Sequence, residues 1–171
     1  MLTAAGTIQR DFGGPGVLAT SVDSNDQKVQ NLEYAYNFND TRRSVYTAAF
    51  RNVRHPLFEV FDFADINQPI AQRTTSTVAT QALFLMNASQ VIEQARHAAD
   101  VVIKTSNAPA QRIQTAFRRS LQREPTSAEL AQVTEFIESS TSGNASAEEV
   151  RDVWARFIQT LWAKPEFRFL D

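Results

Sequence analysis

The chain has 171 residues, of which 43% are hydrophobic and 21% charged, a composition typical of one globular domain rather than of a disordered segment. Its formal net charge of −2 argues against nucleic-acid binding, which needs a basic surface to neutralise phosphates. The chain contains no cysteine, so disulfides, thiolate metal sites and cysteine nucleophiles within it are excluded. The longest apolar run, Ala82 to Met86, is too short to cross a membrane.

The N-terminal residues have the character of a helix end. Residues 1–5 favour a helix and Gly6 a C-terminal cap, which predicts the last turn of a helix that begins upstream; a frayed start is the alternative. The segment lacks the basic leader and the apolar core of a signal peptide. The glycine-rich stretch at 11–16 lacks the Gly-Lys-Ser/Thr ending of a phosphate-binding loop, so it predicts a plain turn.

A short β element is predicted next. Residues 32–38 alternate between apolar and polar side chains, with Tyr34, Tyr36 and Phe38 on one face, as in a strand. Residues 42–50 fit either a strand or a helix by their pattern. The preferred interpretation is a strand that pairs with 32–38.

From residue 56 onward the chain has a helical pattern. Pro56 suits the first position of a short helix, and further helices are predicted at 77–86, from a cap at Asn87 to about 103, and from Pro109 onward. Two Ser/Thr-x-x-Glu capping boxes predict the starts of the last two long helices. The capping pairs are Thr126 with Glu129 and Ser146 with Glu149. A wide apolar stripe over 150–162 predicts a core helix.

These elements predict a mainly α fold, with five or six helices and a short two-stranded β element in the N-terminal third. We expect residues 1–171 to form a single domain. Within it, 1–55 would hold the glycine-rich loop and short strands, 56–106 a helical middle, and 107–171 the C-terminal helices.

Six motifs, taken in order, resemble a known family. They are GGPGV, RRSVYTAAFRN, HPLFEVFDFADINQ, RTTSTVATQALFLMN, AFRRSLQREPTSAEL and WARFIQTLWAKPEFRFLD. Together they are similar to the C-terminal domain of large planctomycete proteins, catalogued as domain of unknown function 1553. That domain usually follows a second uncharacterised domain, itself often preceded by a cytochrome-c-like domain and an export signal.

The resemblance implies the kind of protein to which the chain belongs, but it does not imply a reaction. It implies that the chain is a fragment, that its partners are the upstream domains of the parent protein, and that the parent is periplasmic or extracellular. The haem-carrying part lies outside the chain, so no cofactor is expected in the chain itself. Nucleic acid and membrane are not expected as partners, whereas carbohydrate is kept as a possible ligand.

The stretch FDFADIN offers the first candidate site. If Asp62 and Asp65 both lie on the short helix, they share one face and suit a Ca²⁺ site with Asn67, or a pair of hydrolytic carboxylates. The favoured interpretation is structural: Asp65 begins an Asx turn, and Asp62 pairs with an arginine, namely Arg42, Arg43 or Arg73. Which metal would bind, if any, is left open.

Two further candidates accompany the acids. Arg73 with Thr75 and Ser76 precedes a helix, where free amides and hydroxyls can hold an anion, although ordinary capping is the favoured interpretation. His55 precedes Pro56 and is a candidate general base, although a structural loop histidine is the commoner case. The leading hypothesis is therefore a non-catalytic accessory module that packs against upstream domains. The alternative is a polysaccharide- or anion-binding hydrolytic domain.

Overall fold

The computed structural model describes residues 1–17, 36, 38, 40–67, 79–141 and 143–168, and over these residues the chain is mainly helical. It divides into two compact units. We call Met1–Thr7 with Leu85–Asp171 the helical unit, and Ile8–Phe84 the aromatic unit. The predicted boundaries at 55 and 106, and the assignment of 1–171 to one domain, stay predictions.

Among the described residues, five helices have nine or more residues, in line with the predicted five or six, and three more are single turns. In the described part of the chain the helices are α1 Leu2–Ala5, α2 Pro56–Val60, α3 Ala79–Asn87, α4 Ser89–Thr105, α5 Pro109–Leu121, α6 Ser127–Ser140, α7 Ala147–Ala163 and α8 Pro165–Arg168. A 3-10 turn spans Ser44–Tyr46. The helix α7 ends at Ala163 with Lys164 as its C-cap, and Pro165 opens the short helix α8.

The core of the helical unit lies between α4 and α7. Three of the six buried residues of α4 are alanines, Ala95, Ala98 and Ala99, and their small side chains let α7 approach closely. The facing side chains of α7 include Trp154 and Trp162, both almost fully buried. Six apolar residues of the predicted 150–162 stripe are buried, which confirms it as a core helix, namely Val153, Trp154, Phe157, Ile158, Leu161 and Trp162.

The helix ends follow local capping rules where the sequence carries them. Gly6 has φ 77° and caps α1, and both predicted capping boxes are present, at Thr126 and at Ser146. The predicted cap at Asn87 is wrong. Asn87 is the last residue of α3, and the extended residue before α4 is Ala88, which has no side-chain acceptor.

The predicted strand at 42–50 is wrong. A guanidinium N–H of Arg42 donates to the carbonyl of Tyr46 at 3.3 Å, which folds the backbone back over the 3-10 turn. Within 40–67 and the other described residues no strand occurs, and one isolated bridge joins Gln9 to Arg42. Of the strand predicted at 32–38 only Tyr36 and Phe38 are described, and both rings pack edge-on against Phe50.

Candidate functional site

The two acids of FDFADIN do not share a helical face. The helix α2 ends at Val60, and both acids lie beyond it. Asp62 has φ 55°, in the left-handed region that side chains other than glycine rarely adopt. Because the chain turns at Asp62, the two acids do not have the one-turn helical spacing that would place their carboxylates on a shared face.

Asp65 forms the predicted Asx turn. Its carboxylate accepts the backbone N–H of Asn67 at 2.9 Å and pairs with Arg54 at 3.2 Å. The backbone hydrogen bond from Asn67, aided by Arg54, holds the pKa of Asp65 below its ordinary value. Asp65 is therefore a charged residue that anchors a turn, and its ion pair with Arg54 was not predicted from the sequence.

Arg42, one of the three arginines proposed to pair with Asp62, binds another acid. Arg42 forms its ion pair with Asp40 at 2.8 Å, and both side chains are buried. The same guanidinium donates to the carbonyls of Pro15 and Gly16, so it ties the glycine-rich turn to the 40–46 segment. Burial by itself would raise the pKa of Asp40, but the hydrogen bonds from Arg42 outweigh burial and lower it.

Sequence analysis named Arg42 but missed its partner. The Asp-x-Arg spacing of Asp40 and Arg42 is a local signal for that pair, but nothing in the sequence connects Arg42 to the glycine-rich turn at 11–16. The structure shows that this pair acts as a clamp, because one guanidinium serves a carboxylate and three carbonyls.

Exposed apolar side chains lie on the segments that this clamp joins. Phe12 is 80% exposed and Val45 is 78% exposed. The guanidinium of Arg43, the second arginine proposed to pair with Asp62, lies 4.7 Å from the centre of the Phe12 ring. We call Phe12, Arg43 and Val45 the Phe12–Val45 surface.

His55 is a buried member of an aromatic cluster. Its ring stacks on Phe58 at 4.5 Å between centroids and meets Phe38 edge-on at 4.9 Å. Its Nδ1 accepts the backbone N–H of Leu57 at 3.1 Å, so the side chain caps α2. Burial lowers the pKa of His55, and the carboxylate of Asp40 opposes that effect only in part.

This geometry gives His55 a structural task. A general base must present a free nitrogen to a substrate proton, but Nδ1 is occupied by the helix cap. The other nitrogen carries the proton in the neutral ring, so it is a donor rather than an acceptor. The side chain can hold a helix start and donate one hydrogen bond.

The remaining predicted binding residues are only partly described. Arg73, Thr75 and Ser76 lie outside the described residues, so the anion site stays a prediction. Asn67 is described, and it contributes its backbone N–H to the Asx turn. Across the described ranges, no group of three or more His, Asp or Glu side chains is arranged to hold a metal ion.

A second ion-pair network, not foreseen from the sequence, lies in the helical unit. Arg123 pairs with Glu129 at 2.8 Å and with Glu166 at 3.0 Å, while Lys164 reaches Glu129 at 2.9 Å. Glu129 also accepts the backbone N–H of Thr126 in the capping box. Led by the hydrogen bond from Arg123, these contacts hold the pKa of Glu129 far below its usual range. The network joins the ends of four helices, α5 to α8, and is structural.

The chain belongs to the family described as PSD1, protein of unknown function (DUF1553), whose model matches residues 1–137. The matched range contains the clamp, the aromatic cluster and the FDFADIN turn. No curated protein and no solved structure matches the chain. In the part of the chain that is described, no helix has both the length and the apolar character needed to cross a bilayer.

Proposed function

We propose that this chain is a non-catalytic accessory module of a larger, exported protein, and that it packs against the upstream domains of that protein. The observation that carries the proposal is the state of the candidate catalytic groups. Asp65 anchors a turn, His55 caps a helix, and Arg42 clamps two loops. Each group is engaged by its own backbone neighbourhood, which is typical of structural networks rather than of an open reactive cleft.

The Phe12–Val45 surface supplies the proposed contact. Large apolar side chains held on a fixed backbone are typical of protein–protein contact sites. The buried Asp40–Arg42 pair fixes the two segments that carry Phe12 and Val45, so little conformational entropy is lost when a partner covers them. Arg43 adds a cation beside the Phe12 ring, which favours a partner with an apolar patch bordered by an acid.

The alternative, a hydrolytic or anion-binding domain for polysaccharide, has less support. It needs Asp62 and Asp65 in one arrangement, and the end of α2 before both residues removes the shared helical face. Its remaining residues, Arg73, Thr75 and Ser76, are those the structure does not describe. We therefore rank the accessory module first.

The test is to produce this chain and the upstream part of its parent as two polypeptides, and to measure their association by isothermal titration calorimetry. We expect saturable binding that weakens at least tenfold in the double variant Phe12→Ser, Val45→Ser. The matched control is Phe136→Ser, which removes a 40% exposed aromatic from α6 and should leave affinity unchanged. No association, or equal affinity in the double variant and the control, would contradict the proposal.

A further inference from the structure

The helical unit contains a polar cavity that the accessory function does not use. It lies between the C-terminal end of α6 and the first half of α7, and it is open to solvent. Its volume of about 210 Å³ is room for several water molecules, and hence for a small organic molecule. The residues that line it are Ser140, Ala145, Glu149, Asp152, Val153 and Arg156.

Two acids of α7 line this cavity, and both are held in place. The carboxylate of Glu149 accepts the backbone N–H of Ser146 at 2.7 Å with one oxygen, and its other oxygen has no donor among the described residues. That hydrogen bond holds the pKa of Glu149 below its ordinary value, so the group is charged at neutral pH. Asp152 accepts from Arg96 of α4 with both oxygens, at 2.9 Å and 3.3 Å, and each oxygen can accept a further hydrogen bond.

The third charged group of the cavity is an arginine without a partner. Arg156 lies four residues after Asp152, a spacing at which an acid and an arginine on one helix can pair. Asp152 binds Arg96 instead, and within the described part of the chain Arg156 makes no hydrogen bond or ion pair. Its exposed guanidinium can therefore bind a carboxylate through two parallel N–H donors without breaking an existing contact.

The order of these groups along α7 favours a ligand that carries two opposite charges. Glu149, Asp152 and Arg156 are spaced by three and four residues, so they follow one face of the helix, with the acids before the arginine. Val153, which is 7% exposed, adds an apolar surface between them. With Arg96 counted, two acids meet two arginines, so a ligand without net charge preserves the balance of the site.

We propose that this cavity binds a small zwitterionic α-amino acid. The ammonium of the ligand donates to the carboxylates of Glu149 and Asp152, and its carboxylate accepts from Arg156. A short apolar side chain contacts Val153. Charge-assisted hydrogen bonds of both signs fix the orientation of such a ligand. The inference does not depend on the Phe12–Val45 surface or on any upstream partner.

The probe is L-alanine, titrated into the full 171-residue chain and followed by amide chemical shifts. We expect saturable shifts concentrated in residues 145–156, with a dissociation constant in the millimolar range or below, as suits a ligand of this size. Propionate lacks the ammonium and ethylamine lacks the carboxylate, so each should bind about tenfold more weakly or worse. Absence of saturation in the millimolar range, or binding of either analogue as tight as that of L-alanine, would overturn the proposal.

Two pairs of variants locate the charges. Arg156→Gln and Glu149→Gln each remove one charge from the cavity, and glutamine can replace glutamate in a capping box. Each should weaken L-alanine binding about tenfold, in line with the loss of charge-assisted hydrogen bonds. The matched controls Arg118→Gln and Glu148→Gln remove the same charges from exposed positions outside the lining, and they should leave binding unchanged. Equal effects of variants and controls would show a response to general charge and would refute the assigned site.

Discussion

At the scale of single residues, His55 links packing to pH. Its neutral ring caps α2 through Nδ1 while it stacks on Phe58, and a proton on Nδ1 would remove the cap and place a charge among aromatic rings. Because burial lowers its pKa in the folded chain, the unfolded chain binds the proton more readily. His55 therefore contributes its full stabilisation at pH values above its unfolded-state pKa, near 6.5. That stabilisation is lost as the pH falls below this pKa.

This sign gives a direct prediction. The free energy of unfolding, measured with urea at about pH 7.5 and at about pH 5.5, should fall more in the wild-type chain than in His55→Asn. Asparagine keeps an oxygen able to cap α2 but does not titrate in this range. The control His97→Gln alters the exposed histidine of α4 and should retain the wild-type pH dependence. If His55→Asn loses as much stability as the wild type, His55 is not the titrating group.

The FDFADIN turn and the clamp show which contacts of the site the sequence could predict. The Asx turn at Asp65 was predictable because its acceptor and donor are two residues apart in the chain. The partners of the arginines were not, because several arginines and acids lie within reach of one another on loops. Only the folded backbone decides that Arg42 takes Asp40 and the carbonyls of the glycine-rich turn.

At the scale of elements, the capping boxes give the sharpest local test. The hydroxyl of Ser146 accepts the N–H of Glu149, and the Glu149 carboxylate accepts the N–H of Ser146 in return. Ser146→Ala should lower the free energy of unfolding by about 1 kcal/mol, measured by urea denaturation. Ser146→Asn, which supplies another capping oxygen, should lose only a small part of that stability. A loss in the asparagine variant equal to that in alanine would show that the cap is not the cause.

The difference between local and long-range contacts also explains which elements could be predicted from the sequence. The long helices followed from their apolar spacing and caps, since those signals lie within one turn of the chain. The prediction of a strand at 42–50 was wrong because it considered only the alternation of side chains and not the hydrogen bonds that the Arg42 side chain can make. That guanidinium reaches the carbonyl of Tyr46 and satisfies it within a 3-10 turn, so a partner strand is not needed. The helix α4 begins one residue later than predicted. Asn87 belongs to α3, and Ala88 takes the N-cap position although its side chain offers no acceptor.

At the scale of the whole molecule, the two units differ in what they offer a partner. The helical unit buries its largest side chains, Trp154, Phe157 and Trp162, in its own core, although Phe136 is 40% exposed. The aromatic unit leaves Phe12 and Val45 exposed on the backbone that the Asp40–Arg42 pair holds in place. We therefore place the proposed contact with the upstream domains in the aromatic unit.

The central claim is that this chain works as part of a larger polypeptide, and its most direct test is the size of the native protein. An immunoblot of the source cells with an antibody against this segment measures that size. A parallel haem stain shows whether the same band carries haem. We predict a band far larger than the 19.2 kDa of this chain. A single band at 19.2 kDa would contradict the accessory role, and would make Asp62, Asp65 and Arg73 the next residues to mutate.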